Sequence, residues 1–549
     1  MPDGAGRAWK EYKKEYGQFF TSRPVAEFMV KWILEKQPKR ILDPAVGEGM
    51  FLWTIFSLLP SKSYTKEMSV TAYEIDPDMA ERLRKRLGGN CSENQEGDCF
   101  CLCVEDYLKA ENKKQYDAVI CNPPYHKFQR IPDREYLRRL FSERYGIALS
   151  GFCNASSYFL VKSINELAPD GRCAFIMPYE FLNTGYGEAV KRTLLEKGVL
   201  KHIIKFDSSV RVFEDAITTC CILLLEKPEE MREQETSGQE IFGKGEESAV
   251  IFSEVHSLEQ LNWADIGRNS ITVLTKDLDC REKWLSYFLK ESLVTSRQNL
   301  IQLKKIGRVS RGIATGGNRF FVLSKEMICG RHLSREVCLP CVAKASDVKE
   351  LVFNKDSYRR LYEENRKVTI FNGARAHTGE DKAYLHYGEQ NGIHEGYLTS
   401  HRSPWYAIEN KEPAPIWIAA FSRDRIKVVR NEMMIRHLTA FHGIYIEDAS
   451  FSTEEINLLF CWLLTPTAQR LLKGNKREYG AGLDKFEPGD LMDADVLDVR
   501  RLKPQDKADV LSLYQKMADT LDSDLQQDII ASVDRIMKHY ISTDDTYVC

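Results

Sequence analysis

Four consecutive residues have the types needed to hold an amino nitrogen for reaction. Asn122, Pro123, Pro124 and Tyr125 follow an apolar run at 118–121. The two prolines fix φ and remove two backbone donors, so the Pro123 carbonyl can accept a hydrogen bond beside the Asn122 side-chain oxygen. Tyr125 adds a ring face for stacking. An amine that donates to both oxygens has its lone pair out of conjugation, so the pattern predicts methyl transfer onto nitrogen. A Pro-Pro turn after a strand is the alternative.

The residues upstream of this tetrapeptide indicate a binding site for a nucleoside. Segment 40–52, RILDPAVGEGMFL, has the pattern of a short buried strand, a glycine turn and the start of a helix. Glycines allow the backbone to approach a ligand closely. Asp43, at the end of the strand, could accept a hydrogen bond from a ligand ammonium. The segment therefore favours a nucleoside cofactor over a pyrophosphate cradle.

Two further strand endings carry acidic side chains. Segment 70–77 is predicted to be a strand that ends in Glu74, about 25 residues after the glycine turn, and an acid at such a distance commonly binds ribose hydroxyls in doubly wound sheets. Segment 103–108 precedes the strand of the tetrapeptide and places Asp106 where an adenine amine could donate. Each element is common by itself, and it is their order along the chain that is informative.

In this order the elements resemble the S-adenosylmethionine-dependent N6-adenine DNA methyltransferases of the gamma, or TaqI-like, class. Segment 17–21, GQFFT, is similar to the family's first cofactor motif. The family usually has proline directly after the threonine, whereas Ser22 and Arg23 here precede Pro24. The resemblance implies a site-specific enzyme that methylates N6 of a flipped-out adenine in a short duplex sequence. It also implies the modification enzyme of a restriction-modification system.

The resemblance assigns roles to individual residues. Tyr125 and Phe213 would lie on the two faces of the extruded base, Thr21 would contact the cofactor carboxylate, and Phe159 would contact the cofactor adenine. No metal is implied, because the sulfonium of S-adenosylmethionine is already a good leaving group. The expected catalytic residues are Asn122, Pro123, Tyr125 and Phe213. The expected cofactor-binding residues are Thr21, Asp43, Ala45, Gly47, Glu74, Ile75, Asp106, Tyr107, Asn122, Pro124 and Phe159.

The charge of the chain is unevenly distributed. The 549 residues have a net charge of only −3, but residues 301–440 contain 24 Lys or Arg against 15 Asp or Glu. The local balance of +9 leaves −12 for the remainder. Phosphate contacts need a basic surface, so we expect this segment to supply most of the salt-dependent affinity for DNA. An ordinary solvated face is the alternative.

Short elements in the C-terminal half also resemble the family. Segment 306–321, IGRVSRGIATGGNRFF, is similar to the opening of the target-recognition domain in TaqI-like enzymes, with a β-hairpin turn as the alternative. A basic cluster follows at 423–427, and segment 479–488 resembles the late glycine and Glu-Pro element of these proteins. The expected DNA-binding residues are Arg311, Thr315, Asn318, Arg319, Arg423 and Arg425.

Alternating strands and helices predict the domain organisation. The fold class is α/β, a Rossmann-like doubly wound methyltransferase sheet with a C-terminal α+β target-recognition domain. We expect the catalytic domain at 1–230, a connecting segment at 231–300, the target-recognition domain at 301–500 and a helical segment at 501–549. The long basic insertion at 126–154 follows the tetrapeptide, and a loop of that length beside an active site is usually functional.

Composition indicates a cytoplasmic protein without a membrane segment. The 15 cysteines form no regular framework, which suits a reducing compartment. Cys338 and Cys341 form one CxxC without a second pair, so we predict no metal site. No stretch approaches the roughly 20 apolar residues of a membrane span. We expect a monomer that binds double-stranded DNA and has a separately encoded cognate restriction endonuclease.

Three other classes of protein share parts of this pattern. Enzymes that methylate a protein glutamine amide or an RNA adenine also carry NPPY, but they usually lack the GQFFT-like motif and a long C-terminal domain. A DNA-binding subunit without activity would not need intact cofactor and catalytic residues. A fused restriction nuclease would need a further domain, and about 16 residues precede the first motif. A stand-alone methylase is therefore preferred.

Overall fold

A computed structural model describes most of the chain. The described residues are 21–59, 68–87, 100–111, 115–126, 128–131, 133–213, 219–229, 248–268, 270–288, 298–479 and 483–541. The predicted segments at 17–20 and 480–482 lie outside them. No helix within these residues is long and apolar enough to cross a membrane.

The chain divides into two units, each with its own core. The first comprises residues 1–290 and 477–482, and the second comprises residues 291–476 and 483–549. Each unit is described separately below.

Nine described strands of the first unit form one sheet. They are β1 (Arg40–Asp43), β2 (Ser69–Tyr73), β3 (Phe100–Cys103), β4 (Tyr116–Cys121), β5 (Leu167–Pro178), β6 (Leu200–Phe206), β7 (Cys220–Glu226), β8 (Ala249–Val255) and β9 (Ser270–Leu274). Their spatial order is β3-β2-β1-β4-β5-β7-β6-β8-β9. Strand β1 pairs in parallel with β2 and β4, and β7 runs antiparallel to both β5 and β6. The predicted α/β methyltransferase sheet is thus confirmed, as a mixed sheet.

Helices cover both faces of this sheet. They are α1 (Arg23–Leu34), α2 (Met50–Leu58), α3 (Pro77–Leu87), α4 (Arg134–Tyr145), α5 (Ala155–Glu166), α6 (Gly187–Glu196) and α7 (Trp263–Arg268). Successive side chains of a strand point to opposite faces, and in β4 Ala118 and Ile120 pack in one apolar cluster while Val119 and Cys121 pack in another. A central strand buried on both faces explains why its sequence is continuously apolar instead of alternating.

The topology brings the predicted functional residues to one edge of the sheet. Strand β1 lies between β2 and β4, so the loops that follow these three parallel strands leave the sheet side by side. Asp43 is the last residue of β1, and Glu74 and Asn122 directly follow β2 and β4. Ligands of open α/β sheets bind outside the carboxyl ends of the strands, where the strand order reverses.

Two features of the first unit differ from the sequence prediction. Residues 248–288 were assigned to a connecting segment, but they form β8, α7 and β9, which extend the sheet. Segment 169–171, Pro-Asp-Gly, has the composition of a turn but lies within β5, where Asp170 has a φ of +60° and the pairing with β4 shifts register. In both segments, pairing with a neighbouring strand determines the structure, although the local composition is typical of a turn or a linker.

The second unit contains several small sheets. Its strands are β10 (Leu300–Gln302), β11 (Gly307–Arg311), β12 (Val322–Leu323), β13 (Cys338–Val342), β14 (Val352–Phe353), β15 (Thr369–Phe371), β16 (Ile416–Ala419), β17 (Phe421–Ser422), β18 (Val428–Asn431), β19 (Arg436–His437), β20 (Phe441–Ile446), β22 (Leu483–Lys485) and β23 (Asp495–Leu497); β21 (Arg477–Tyr479) belongs to the first unit. The largest sheet has the order β11-β20-β16-β18-β14, and a second has the order β12-β15-β13-β19.

Helices complete the second unit. They are α8 (Asn318–Phe321), α9 (Lys325–Gly330), α10 (Lys355–Glu363), α11 (Gly379–Gln390), α12 (Tyr397–Ser400), α13 (Thr453–Leu464), α14 (Pro466–Lys473), α15 (Pro488–Met492), α16 (Pro504–Ala518) and α17 (Ser523–Lys538). Residues 458–464 of helix α13 are all buried, and they share one apolar cluster with α14, α16, α17 and the five-stranded sheet. The helices predicted beyond residue 500 therefore pack into the core of this α+β unit.

Candidate active site

The glycine turn after β1 lets the backbone approach the site. Gly47 and Gly49 have φ values of +53° and +83°, which glycine adopts without the steric cost of a Cβ atom. A Cβ at Gly47 would meet no atom within 4 Å, so the space beside it is open. At Gly49 it would lie 2.8 Å from Leu83 Cδ1. The Trp53 indole donates to the Glu48 carbonyl at 3.1 Å and closes the turn.

Glu74, directly after β2, holds this turn in place. One carboxylate oxygen accepts from the Gly47 backbone N–H and the other from that of Asp76, each at 3.0 Å. Burial raises the pKa of Glu74, and these backbone donors oppose the shift. Carboxylate oxygens have further lone pairs, so Glu74 can also accept from ligand hydroxyls.

Asp106 and Tyr107 form a second wall after β3. Asp106 Oδ1 accepts from the Leu108 backbone N–H at 3.0 Å, which fixes the carboxylate on its loop. The Tyr107 ring lies 5.2 Å from the Tyr73 ring and 5.4 Å from the Phe159 ring. Aromatic side chains at these separations form an apolar surface that suits a flat heterocycle.

A buried ion pair on α5 supports Tyr107, and the sequence patterns did not predict it. Lys162 Nζ donates to the Ala110 carbonyl at 2.5 Å and lies 3.4 Å from Glu166 Oε1. Tyr107 Oη donates to Glu166 Oε2 at 2.8 Å. Burial lowers the pKa of Lys162 and raises that of Glu166. The available signal in the sequence was two opposite charges four residues apart on an otherwise uncharged helix.

The tetrapeptide at 122–125 contacts two segments that are distant along the chain. Asn122 Nδ2 donates to Thr21 Oγ1 at 3.0 Å, so the amide oxygen is the Asn122 atom that can accept from an amine substrate. Thr21 and Phe213 form a β-bridge. The Phe213 ring is buried and lies 5.7 Å from the Tyr125 ring at an interplanar angle of 82°. Tyr125 Oη donates to the Ile176 carbonyl at 3.3 Å, which fixes the orientation of its ring.

One cavity of about 540 Å³ collects most of these residues. It is lined by every predicted cofactor-binding residue except Asp43, and by Pro123 from the catalytic set. Tyr125 and Phe213 do not line it. Ile75 lines the cavity and is 56% exposed, which is high for an apolar side chain. Largely apolar walls with a few polar groups are typical of a small-molecule site.

Asp43 lies behind the cavity wall and is only 2% exposed. Its Oδ1 accepts from the Ala45 backbone N–H at 3.2 Å, and its Oδ2 has no hydrogen-bond partner among the described residues. Burial raises the pKa of Asp43 to about 8, opposed by the Ala45 bond and reinforced by Glu74. A buried carboxyl without a full set of donors is stable mainly in its neutral form.

The insertion at 126–154 supplies cavity residues that the sequence did not identify individually. His126, Arg130, Ile131 and Leu137 all line the cavity. The sequence indicated that this insertion lies beside the active site, but it could not show which side chains face inward. That depends on how α4 packs on the loop after β3.

Comparison with known proteins identifies the family. The family model described as N-6 DNA Methylase matches residues 7–262, and that of the type II methyltransferase M.Eco57I C-terminal domain matches residues 281–537. The chain is 34% identical over 537 residues to the type II methyltransferase M.AccI of Acinetobacter calcoaceticus, covering 96% of this chain and 94% of that protein. The chain belongs to the N6-adenine DNA methyltransferases of type II restriction-modification systems. The methyltransferase is adenine-specific and acts on DNA, as the sequence predicted.

Further relatives agree with this family. The methyltransferase is 25% identical over 487 residues to the type II methyltransferase M.XamI of Xanthomonas campestris pv. amaranthicola, covering 86% of this chain and 84% of that protein. A nuclease-deletion mutant of the Type ISP restriction-modification enzyme LlaGI, solved with a DNA substrate mimic, has a TM-score of 0.51 and 12% identity, which shows likeness of fold alone. That match covers 92% of the methyltransferase but only 55% of the solved chain.

The predicted DNA-binding residues lie in the second unit with different exposures. Arg319 and Arg423 are exposed. Arg311 is exposed as well and forms an ion pair with Glu409 at 2.7 Å. Thr315 and Asn318 bond to each other at 2.5 Å, and the Thr315 side chain is buried.

Arg425 differs from the other predicted DNA-binding residues. Its guanidinium donates to Gln527 Oε1 and to the Leu464 carbonyl, so it ties the loop after β17 to α13 and α17. Burial lowers the pKa of Arg425. These internal bonds indicate a contribution to the stability of the second unit.

Proposed function

We propose that the methyltransferase binds S-adenosylmethionine in the 540 Å³ cavity and methylates N6 of an adenine extruded from a short duplex sequence. The observation that supports this most strongly is that Thr21, Asn122, Glu74 and Asp106 line one cavity at the carboxyl edge of the sheet. The TaqI-like order of the motifs supports assignment to the gamma class. We also propose that a separately encoded nuclease cleaves the unmethylated form of the same sequence.

The residues present fit the cofactor. A volume of about 540 Å³ lies within the range of about 300 to 1,000 Å³ for small-molecule sites. Glu74 can accept from the ribose hydroxyls and Asp106 from the adenine amine. Ile75 and Phe159 offer apolar surfaces to the adenine ring. S-adenosylmethionine supplies an electrophilic methyl group on a sulfonium that is itself a good leaving group.

The tetrapeptide then orients the acceptor. The bond to Thr21 holds the Asn122 amide so that its oxygen accepts from the adenine amine. The Pro123 carbonyl accepts the second amine hydrogen. Together they hold the nitrogen lone pair out of conjugation with the ring and direct it at the methyl carbon. Positioning of this kind can contribute about 7 kcal/mol or more to rate enhancement.

Adenine N6 is inaccessible inside a duplex, so the base must leave the stack before it reacts. Tyr125 offers its ring face to the extruded base, and the bond to the Ile176 carbonyl keeps the ring in place. Phe213 packs edge-on against Tyr125. Its placement on the far face of the base requires the ring to become accessible when DNA binds.

Two measurements test the proposed function. In a bacterial host without DNA methylation, expression should place N6-methyladenine at every copy of one short sequence, which modification-sensitive long-read sequencing detects. With 2-aminopurine at the target position, the wild-type enzyme should increase fluorescence as the base unstacks. Methylation without any increase in fluorescence would contradict extrusion. An unmethylated genome would contradict the proposal that DNA is the substrate and would favour methylation of a protein amide.

The buried carboxyl of Asp43 predicts a pH dependence of cofactor affinity. The carboxyl has a raised pKa of about 8, so it is mostly protonated at pH 7. Asp43 does not line the cavity, so contact with a ligand ammonium requires its side chain to turn towards the ligand on binding. Such a contact would favour the carboxylate and release a proton. Affinity for S-adenosylmethionine should therefore rise about tenfold between pH 6.5 and 7.5, as expected when binding requires loss of one proton below the pKa. Calorimetry in buffers of different ionisation enthalpy would detect the released proton.

The substitution Asp43→Asn separates ligand binding from folding. It should remove most of this pH dependence. Because the pKa of Asp43 is raised in the folded protein, its protonated form contributes to stability. This contribution is complete below the pKa of the unfolded chain, near 3.8, and it is lost as the pH rises through about 8. Asp43→Asn should therefore raise Tm at pH 8, whereas the exposed control Asp78→Asn should change neither property. Unchanged pH dependence in Asp43→Asn would exclude the ammonium contact.

The exposed arginines of the second unit predict the salt dependence of DNA binding. Arg319→Ala and Arg423→Ala should each weaken duplex binding and reduce the slope of log K against log salt by about 1. Arg425→Ala is the matched comparison, because its guanidinium is committed to internal bonds. It should lower Tm and leave the salt slope nearly unchanged. If the slope of log K against log salt in Arg319→Ala and Arg423→Ala equalled that of the wild type, the phosphate contacts would lie at other residues.

A further inference from the structure

The insertion after the catalytic tetrapeptide presents an exposed aromatic side chain. Phe152 lies just before α5 and is 63% exposed. Single exposed apolar residues are common on protein surfaces, so exposure alone does not define a site. The surroundings of Phe152 are what make it informative.

Phe152 projects from a firmly anchored turn. Leu149 and Cys153, on either side of it, are fully buried in the core of the first unit. The Cys153 backbone N–H donates to the Ser150 carbonyl at 3.0 Å, and that of Phe152 donates to Ser150 Oγ at 3.3 Å. The core therefore holds the turn from both sides and directs Phe152 outward.

A second aromatic residue, Phe128, braces Phe152 close to residues that line the cavity. The Phe128 ring lies 5.1 Å from the Phe152 ring at an angle of 82°, and the Arg134 guanidinium lies 5.7 Å from the Phe128 ring centre. Phe128 begins a short 3-10 turn, Phe128–Arg130, and both Arg130 and the preceding His126 line the cavity. The pair is therefore joined through this short turn to residues that line the cavity.

The insertion that carries this pair is basic. Residues 126–154 contain six Lys or Arg and three Asp or Glu, although the chain as a whole is acidic. A basic surface binds phosphates, and an aromatic ring within it can stack on a base. An apolar side chain inserted between base steps can occupy the space of a displaced base.

We propose that Phe152, braced by Phe128, inserts into the duplex beside the target and stacks on a base next to the extruded adenine. It would thereby stabilise the open base pair and act as a positioning residue for methyl transfer. This inference rests on the base extrusion proposed above. It assigns a specific DNA contact to the first unit, in addition to those expected from the second.

Fluorescence of 2-aminopurine at the target position separates the two proposals. The wild-type enzyme should increase the emission, and Phe152→Ala should lose most of this increase. Its kcat/KM for duplex DNA should fall by about ten- to a hundredfold, as expected for loss of one stacking contact. Its KM for S-adenosylmethionine should not change. Phe152→Trp should retain the activity, and Tyr136→Ala, at a 45% exposed aromatic position on α4, is the matched control.

A mismatch opposite the target adenine provides a second criterion. It weakens pairing in advance, so it should restore Phe152→Ala to within about threefold of the wild-type rate. A residue that only supported the fold would not be rescued in this way. If Phe152→Ala increased the 2-aminopurine emission as much as the wild-type enzyme does, the role of Phe152 would be overturned but base extrusion would still hold. Equal losses of kcat/KM in Tyr136→Ala and Phe152→Ala would also overturn the role of Phe152. If the wild-type enzyme caused no increase in emission, base extrusion itself would be contradicted.

Discussion

Asn122→Ala should lower the rate of methyl transfer by at least about 100-fold while S-adenosylmethionine still binds with nearly wild-type affinity. In the proposed mechanism Asn122 orients the acceptor amine through its amide oxygen, and the bond from the amide nitrogen to Thr21 holds that oxygen in place. In the proposed site the cofactor is held mainly by other residues, above all Glu74 and Asp106. Single-turnover rates and calorimetric titration of the same preparation would measure the two effects separately.

Asn165→Ala is the matched control for this experiment. Asn165 lies on α5, and its amide donates to the Val161 carbonyl within the same helix at 2.8 Å. This substitution should leave the rate within about twofold of wild type, as is usual for positions away from the reacting groups. A transfer rate above about a tenth of wild type in Asn122→Ala would contradict the role assigned to Asn122.

Glu74→Ala and Asp106→Ala should each raise the Kd for S-adenosylmethionine by about 10- to 150-fold. A hydrogen bond to a charged acceptor is worth about 1.5 to 3 kcal/mol, and each substitution removes one such acceptor from the cavity. Glu74→Ala should also lower Tm, because this carboxylate accepts the backbone N–H groups of Gly47 and Asp76. Isothermal titration with parallel thermal unfolding would record both quantities.

The two variants also discriminate between direct and indirect effects. Asp106 accepts a local backbone bond from Leu108, so its loss should weaken binding with a smaller change in Tm. Glu81→Ala, at an exposed position on α3, is the control for removal of an acidic charge and should leave Kd unchanged. Unaltered affinity in both active-site variants, with folding intact, would place the cofactor elsewhere.

The sequence correctly predicted the position of site residues that lie at the ends of strands. The glycine turn, the acids after β2 and β3, and the tetrapeptide after β4 each lie where a buried strand ends. Parallel strands place their carboxyl ends at the same edge of the sheet, so residues at these ends are expected to lie close together once the strands are assigned. This explains why the predicted cofactor set, apart from Asp43, lines one cavity.

The same patterns could not distinguish a cavity residue from a residue behind the wall. Asp43 ends β1 as predicted, but its side chain is buried and does not line the cavity, and burial raises its pKa to about 8. Arg425 belongs to a basic cluster in the sequence, yet it binds the Leu464 carbonyl and Gln527 inside its own unit. Charge counts give no information on which side of a loop packs inward.

The sequence by itself determined the chemistry of this methyltransferase and the α/β sheet that carries it, because both follow from short patterns of apolar runs, glycines and acids. Only the tertiary structure revealed that Lys162 binds the carbonyl of Ala110, 52 residues away. It likewise revealed that β8 and β9 extend the sheet and that Phe128 braces Phe152. Each of these contacts joins segments distant along the chain, and its energy comes from burial and pairing that exist only after the chain has folded.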